Sequence, residues 1–146
     1  MSIMNNAVFI QIPGEPVPFA RAGALGKRRF TPKKQSDFMG VIKLYAQRAM
    51  KGDPPFEGPL RIVMRATYLV PQSWSEKKKA NSYWKQTKPD ADNLYKLFAD
   101  AAEKICFLND SQISEVIIQK VYGPIAHLTV EISELSDDRQ HRNISL

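Results

Sequence analysis

The sequence has very little cysteine and histidine, and this scarcity excludes several kinds of chemistry. With Cys106 alone, the chain can form neither an intrachain disulfide nor a cysteine-based zinc site. The two histidines, His127 and His141, lie in a predicted strand and near the C-terminal end. A histidine-dependent nucleophilic triad therefore has little to be built from.

Long apolar runs and glycine-rich phosphate loops are also missing. No apolar run approaches the roughly 18 residues that span a bilayer, and no glycine-rich loop of the P-loop type is present. The first residues, MSIMNNAVFIQIPGEP, lack both the basic segment and the long apolar segment of a secretory signal. We therefore expect a cytoplasmic protein that has no membrane anchor and no nucleotide cofactor.

Positive charge is present, and it is concentrated in the first third of the chain. The formal net charge is +6; residues 1–50 contain eight basic and two acidic residues, whereas residues 51–146 contain thirteen of each. Such a localised excess is typical of a protein that binds a polyanion, although a solvated basic loop has the same composition. The residues of this region that we expect to bind DNA phosphates are Arg21, Lys27, Arg28, Arg29, Lys33 and Lys34.

The hydrophobic pattern predicts a single domain of the α+β class, which can alternatively be classed as α/β. Alternation predicts four strands, at residues 8–12, 60–70, 114–123 and 126–133. Helical spacing predicts three helices, at residues 33–50, from residue 73 or 75, and at residues 92–105. We expect a mixed sheet of about four to five strands packed with about three helices. Residues 13–32, with four prolines and three glycines, predict an irregular basic arm. The domain is expected to cover 1–135, and 136–146 to be a flexible tail.

Three aspartates surround the last predicted helix. Asp92 is expected at its N-cap, and Asp90 lies two residues earlier in a segment that Pro89 biases towards extended backbone. Residues i and i+2 of an extended segment point the same way, so the two carboxylates are expected to converge. Asp110 follows the helix in a turn, and it can join them if the next strand pairs near the segment that precedes the helix.

Two interpretations of these aspartates compete. Aspartate at a helix N-terminus contributes about 0.5–2 kcal/mol, and Lys96, four residues from both Asp92 and Asp100, could form ordinary helix ion pairs. Alternatively, the carboxylates bind a divalent cation such as Mg²⁺, which prefers oxygen ligands and serves nucleases and polymerases. Lys96 would then neutralise charge that builds up on a phosphate. Capping needs one aspartate and does not explain Asp90.

The motif itself resembles that of a known family. Residues 88–101 read K-P-D-x-D-N-L-x-K-x-x-x-D-A, and Asn109-Asp110-Ser111-Gln112-Ile113 follows. This pattern resembles the RusA family of Holliday junction resolvases, small endonucleases common in phages and prophages. The opening Pro13-Gly14-Glu15-Pro16-Val17-Pro18 and Thr31-Pro32 are similar to the start of that family. The resemblance spans most of the chain, up to about Ile132.

The resemblance implies a crossover junction endodeoxyribonuclease that requires Mg²⁺, with Mn²⁺ as a substitute. The family's members are homodimers that cut four-way junctions by symmetric paired nicks, in DNA recombination and repair; a two-fold dimer also matches the symmetry of the junction. Asp90, Asp92 and Asp110 match the acidic metal ligands, and Lys96 matches the catalytic lysine. Lys88 joins the expected phosphate-binding residues. The residues expected to support the site are Asn93, Asp100 and Asn109, the last of which stands where the family often has aspartate.

Other hypotheses remain open from the sequence. A nuclease that acts on flaps or forks is the closest rival, and a basic DNA-binding protein without catalysis is the rival from another class. The arm and the apolar face of helix 38–49 are candidate dimer surfaces. Phe19 or Phe30 is a candidate wedge between bases at the junction centre.

Overall fold

Strand pairing in the structure follows the alternation of apolar residues. The computed structural model describes residues 6–20 and 33–136. The four strands are β1 (Ala7–Pro13), β2 (Leu60–Tyr68), β3 (Ile113–Tyr122) and β4 (His127–Glu134). They form one sheet in the order β1-β4-β2-β3, in which β4 is antiparallel to both β1 and β2, and β3 is parallel to β2. The three helices are α1 (Lys33–Met50), α2 (Glu76–Asn81) and α3 (Ala91–Ala102). The predicted α+β class with a mixed sheet is confirmed.

The core lies on one face of this sheet. In β2, Leu60, Ile62 and Met64 are fully buried, whereas Arg61 and Arg65 point to the opposite, open face. Helices α1 and α3 cover the buried face and contact each other. Leu60, Ile62 and Met64 therefore share the buried face of β2, as the alternation of its residues predicted.

The apolar face of helix α1 is buried within the same chain. Phe38, Ile42, Ala46 and Met50 recur every three to four residues and are all buried in the core. The bounds predicted for this helix are confirmed. Because these side chains are buried within the chain, they do not form a free surface for dimerisation.

The helix of the aspartate motif differs from its predicted bounds, which were 92–105. It begins at Ala91 with Asp90 as the N-cap residue, and it ends at Ala102. Lys104 has a left-handed backbone (φ 73°), which turns the chain and returns Cys106 to the core. Burial raises the pKa of the Cys106 thiol to about 12, so this cysteine is not a ready nucleophile.

Several sequence predictions concern residues outside the described part of the chain. They are most of the basic arm, with Arg21, Lys27, Arg28, Arg29 and Phe30, and the tail from residue 137 onwards. Across residues 6–20 and 33–136, no helix combines the length and apolar character needed to cross a membrane.

Candidate functional site

Asp90 occupies the N-cap position of α3 but does not cap the helix with its side chain. Its backbone is extended (φ −70°, ψ 144°), and its carbonyl oxygen accepts from the N–H groups of Asn93 (3.2 Å) and Leu94 (3.4 Å). Its carboxylate makes no cap hydrogen bond. The prediction that Asp92 is the N-cap residue was wrong, because Asp92 already lies in the first helical turn. Both aspartates are exposed, but because Asp92 is helical they are not the extended i, i+2 pair that was expected.

A lysine from β3 holds the loop that leads to Asp90. The Lys120 ammonium donates to the carbonyl oxygens of Thr87 (2.9 Å) and Pro89 (2.7 Å). The peptide bond between Lys88 and Pro89, between these two anchors, is cis. Lys85 donates to the Thr87 hydroxyl at 2.8 Å. Lys120 thus fixes the start of α3 to the sheet, although it lies 31 and 33 residues from the two carbonyls that it binds. Lys85 adds a contact within the loop itself.

The segment that leads into the basic arm lies across the start of α3. The Phe19 N–H donates to the carbonyl of Asn93 (2.9 Å), and the Tyr68 hydroxyl donates to the carbonyl of Pro16 (3.1 Å). Burial raises the pKa of Tyr68 well above its ordinary value, with a smaller contribution from the charge of Glu15, so this hydroxyl remains a donor at physiological pH.

This segment and the loop before α3 enclose a cleft of about 530 Å³. The residues that line it include Glu15, Phe19, Lys85, Lys88 and Asp90. Ala20, the last described residue before the arm, also lines this cleft.

Lys96 is held in place between two partners. Its ammonium lies 3.4 Å from the carboxylate of Asp100 and 5.0 Å from the centre of the Phe19 ring. The predicted i, i+4 pairing of Lys96 with Asp100 is therefore present. Phe19 is partly buried and packs against the core, an arrangement that does not favour its use as a wedge.

Asp110 lies in a 3-10 turn, Asp110–Gln112, directly before β3. Its N–H donates to the Glu103 carboxylate at 3.4 Å. Its charge also reaches α3: the pKa of Tyr95 is raised first by burial, then by Asp110, then by Asp100. The backbone of Asp110 thus contacts Glu103, the C-cap residue of α3.

The side chain of Gln112 fastens this turn to the rest of the domain. Its Oε1 accepts from the N–H groups of Leu108 and Asn109, both at 2.8 Å. Its Nε2 donates to the carbonyls of Phe56 (2.9 Å) and Gly58 (3.0 Å), just before β2. Gln112 lies within the sequence motif, but its role as an anchor was not predicted. Nothing in the sequence indicated that Lys120 supports the site.

Asn109 has a local structural role at the start of the turn. Its Oδ1 accepts from the N–H of Ser111 at 2.9 Å, and with Gln112 it forms a capping box for the 3-10 turn. An asparagine carbonyl and an aspartate carboxylate can each supply this acceptor.

The predicted metal ligands are not gathered into one compact group. Within the part of the chain that the structure describes, no three Asp, Glu, His or Cys side chains form a cluster that could hold a metal ion. Asp90 and Asp92 lie at the start of α3, whereas the Asp110 N–H donates to Glu103, the C-cap residue of that helix. Their donor chemistry nevertheless fits Mg²⁺, which binds carboxylate oxygens and commonly keeps several waters.

A carboxylate that does not cap its helix and a lysine within the next two turns are residue types that can act together on a phosphodiester. The family model for endodeoxyribonuclease RusA matches residues 13–133, and the chain belongs to this family. It is also similar to the "Uncharacterized protein YqaN" of Bacillus subtilis (strain 168), with 27% identity over 129 residues that cover 84% of this chain and 89% of that protein. The expected family is confirmed, and membership indicates endonuclease activity on Holliday junctions.

Proposed function

We propose that this protein is a Mg²⁺-dependent endonuclease that resolves four-way DNA junctions by symmetric paired nicks, in recombination and repair. The observation that carries the proposal is the carboxylate of Asp90, which stands at a helix N-cap without capping the helix. Beside it, the cleft is lined by Lys85 and Lys88. A carboxylate next to phosphate-binding lysines repels a phosphate unless a cation lies between them, and this favours a metal-assisted reaction.

In this proposal Asp90, Asp92 and Asp110 hold the metal. When bound, the ion supplies a lowered pKa for the attacking water and stabilisation of the leaving oxygen. Two carboxylates and water molecules already provide a common coordination for Mg²⁺, so Asp90 and Asp92 are the principal ligands. Asp110 is the third proposed ligand, and it has to approach the other two when the ion binds, because the described residues form no three-membered cluster of metal-ligating side chains. Mn²⁺ is expected to substitute because it accepts the same oxygen ligands.

Lys96 stabilises the charge that develops on the attacked phosphate. Asp100, 3.4 Å away, fixes the direction of the Lys96 ammonium, and the Phe19 ring lies 5.0 Å from it. This arrangement gives Asp100 a supporting role. Asn93 supports the site through its carbonyl, which receives the Phe19 N–H.

DNA phosphates are bound by the basic arm and by lysines that flank the cleft. Lys88 is exposed at the cleft. Lys33 and Lys34 begin α1; Lys33 pairs with Asp37 at 2.8 Å, and Lys34 lies 3.9 Å from Glu15. Both pairs are exposed, so each costs little to exchange for a phosphate. Arg21, Lys27, Arg28 and Arg29 of the arm complete the proposed set.

The enzyme acts as a homodimer in this proposal, because two identical sites related by a two-fold axis suit paired cuts on opposing strands. The apolar face of α1 is buried in the core, so the interface lies elsewhere. Light scattering of the purified protein measures the oligomeric state directly.

The deciding experiment is cleavage of a synthetic four-way junction with and without Mg²⁺. Wild type is compared with Asp92→Asn and with Asp53→Asn, which makes the same change at an exposed aspartate beyond the end of α1. We expect paired symmetric nicks only with Mg²⁺, loss of cleavage in Asp92→Asn with junction binding retained, and normal cleavage in Asp53→Asn.

Other outcomes would identify a different protein. Tight junction binding without cleavage by any variant would point to a DNA-binding module whose aspartates serve α3 alone. Faster cleavage of flaps or forks than of four-way junctions would point to a different branched substrate.

A further inference from the structure

A short segment after α2 extends the sheet at its outer edge. The Tyr122 N–H donates to the carbonyl of Tyr83 (2.7 Å), and the Lys85 N–H donates to the carbonyl of Lys120 (2.9 Å). Between these bonds Trp84 forms an antiparallel bridge with β3. Because β3 is the edge strand, residues 83–85 are held as an additional short strand, and their side chains have a fixed orientation.

This segment presents two aromatic rings to solvent. The side chains of Tyr83 and Trp84 are 48% and 61% exposed, and their rings pack edge to face with centres 4.9 Å apart. A large aromatic pair that is fixed in orientation but left exposed is characteristic of a binding surface.

Positive charge is concentrated in the segment that carries these rings. Residues 76–88 contain five lysines and one acid, Glu76, whereas the other described residues together contain ten basic and twelve acidic residues. The net positive charge of the described part of the chain therefore comes from this segment. Lys77 and Lys78 are exposed, and Glu76 is occupied by Lys79 at 3.4 Å.

The lysine-rich segment is continuous with the candidate site. Lys85 and Lys88 line the same cleft as Asp90. Along the chain, Lys88 and Lys85 lie between Asp90 and the two aromatic residues. Lysines at intervals on phosphates and aromatic rings against bases are the combination by which proteins hold unpaired nucleotides.

We propose that residues 76–88, the lysine–aromatic surface, form a second DNA-binding surface, on which an unpaired base stacks against Trp84 or Tyr83 while the lysines contact the flanking phosphates. The proposal rests on the proposed function for its partner, DNA. A second copy of the same surface is disfavoured as the occupant, since it would bring two lysine clusters together. A base inside a linear duplex is already stacked on its neighbours, so the surface favours branched or single-stranded DNA.

The test measures DNA binding without cleavage. Fluorescence anisotropy in EDTA follows a labelled four-way junction and a linear duplex of equal length. Trp84→Ala is compared with Phe9→Ala, which removes an aromatic ring that is 71% exposed on β1, at the opposite edge of the sheet. We expect Trp84→Ala to weaken junction binding roughly tenfold, with little effect on duplex binding, and Phe9→Ala to bind both normally.

Two further readouts address the lysines and the stacking separately. Lys77→Glu should lower the slope of log Kd against log salt by about one, whereas Lys43→Glu, an equal change on the exposed side of α1, should not. The chain has two tryptophans, Trp74 and Trp84. In a Trp74→Phe background, emission from Trp84 should be quenched by single-stranded DNA.

The outcomes separate this proposal from the proposed function. If wild type cleaves junctions with Mg²⁺ but Trp84→Ala binds them like Phe9→Ala, the second surface is refuted and the nuclease stands. If Trp84→Ala instead changes the oligomeric state, the rings belong to a protein interface and the proposal is also overturned. Absence of cleavage by wild type would refute the proposed function, while the binding comparison would remain decisive for the surface.

Discussion

Gln112→Glu is the sharpest test of how the turn that carries Asp110 is held. The substitution replaces the Nε2 group by an oxygen of nearly equal size. The hydrogen bonds that Oε1 accepts from Leu108 and Asn109 are retained. The two bonds that Nε2 donates to Phe56 and Gly58, at 2.9 and 3.0 Å, are lost, and a charged oxygen faces two carbonyl oxygens instead.

The structure sets the size of the expected loss. Each lost hydrogen bond contributes about 1 kcal/mol, and a partly buried acceptor left without its donor adds to the cost. We expect the free energy of unfolding to fall by about 2–4 kcal/mol at pH 7, a large share of the roughly 5–15 kcal/mol of a typical domain. Junction cleavage should fall as well, since Asp110 moves with this turn.

The loss should depend on pH in a defined direction. Repulsion from the two carbonyls raises the pKa of the new carboxyl in the folded state above its ordinary value of about 4.3. Stability is then retained below that ordinary value, where both states are protonated, and is lost as the pH rises through the raised pKa. The difference from wild type should therefore be smaller at pH 4 than at pH 7.

Urea unfolding followed by circular dichroism at both pH values measures this difference. Gln119→Glu is the matched control, because the Gln119 side chain accepts from Arg65 at 2.9 Å on the open face of the sheet. A carboxylate suits that position, so the control should be neutral or slightly stabilising. The role given to Gln112 is refuted if Gln112→Glu lowers the free energy of unfolding by less than about 0.5 kcal/mol at pH 7, or if that free energy falls equally at both pH values.

Two further substitutions test the other supports of the site. Lys120→Met removes both charge-assisted bonds to the loop 87–89. The free energy of unfolding in urea should fall by about 1.5–3 kcal/mol, and single-turnover cleavage should slow. Lys120→Arg should restore part of both. Unchanged cleavage in Lys120→Met would show that the loop needs no such anchor. Asp100→Asn should cost less than about 1 kcal/mol of stability, because the Lys96 pair is partly exposed. It should nevertheless slow single-turnover cleavage about tenfold at saturating Mg²⁺, and an unchanged rate would contradict the role given to this pair.

Local sequence patterns were sufficient to predict an element whose bounds depend only on its own residues and their neighbours in sequence. The bounds of α1 could be predicted because its apolar spacing is regular and Gly52 and two prolines follow it. The end of α3 could not, because the residue that turns the chain is Lys104, with a left-handed backbone, and lysine carries no signal for that conformation. Ile105 continued the apolar period beyond the real end of the helix.

The site itself depends on contacts between distant parts of the chain. Asp90 and Asp92 are both good N-cap residues, so local chemistry could not decide between them. The loop before α3 is tied down by Lys120, which is 31 and 33 residues from its two acceptors. Gln112 spans 54 and 56 residues to reach the carbonyls before β2. The sequence motif draws attention to these aspartates, but such contacts determine where they lie.

The side chain of Asp90 stands at an N-cap without capping the helix. Stability alone would favour a capping side chain, so this arrangement points to a function. An aspartate at an N-cap that accepts a hydrogen bond from the first turn stabilises a helix by about 0.5–2 kcal/mol, and the side chain of Asp90 makes no such bond. Meanwhile Lys120 fixes the preceding loop, and Asp90 faces a cleft that Lys88 also lines. Departures from a local rule concentrate at functional sites. The same chain obeys the rule at Ser75, whose side chain caps α2, and at Asn109, which caps the turn beside Asp110. The missing cap at Asp90 is therefore a specific feature of this position, and the proposed metal-binding role of its carboxylate rests on it.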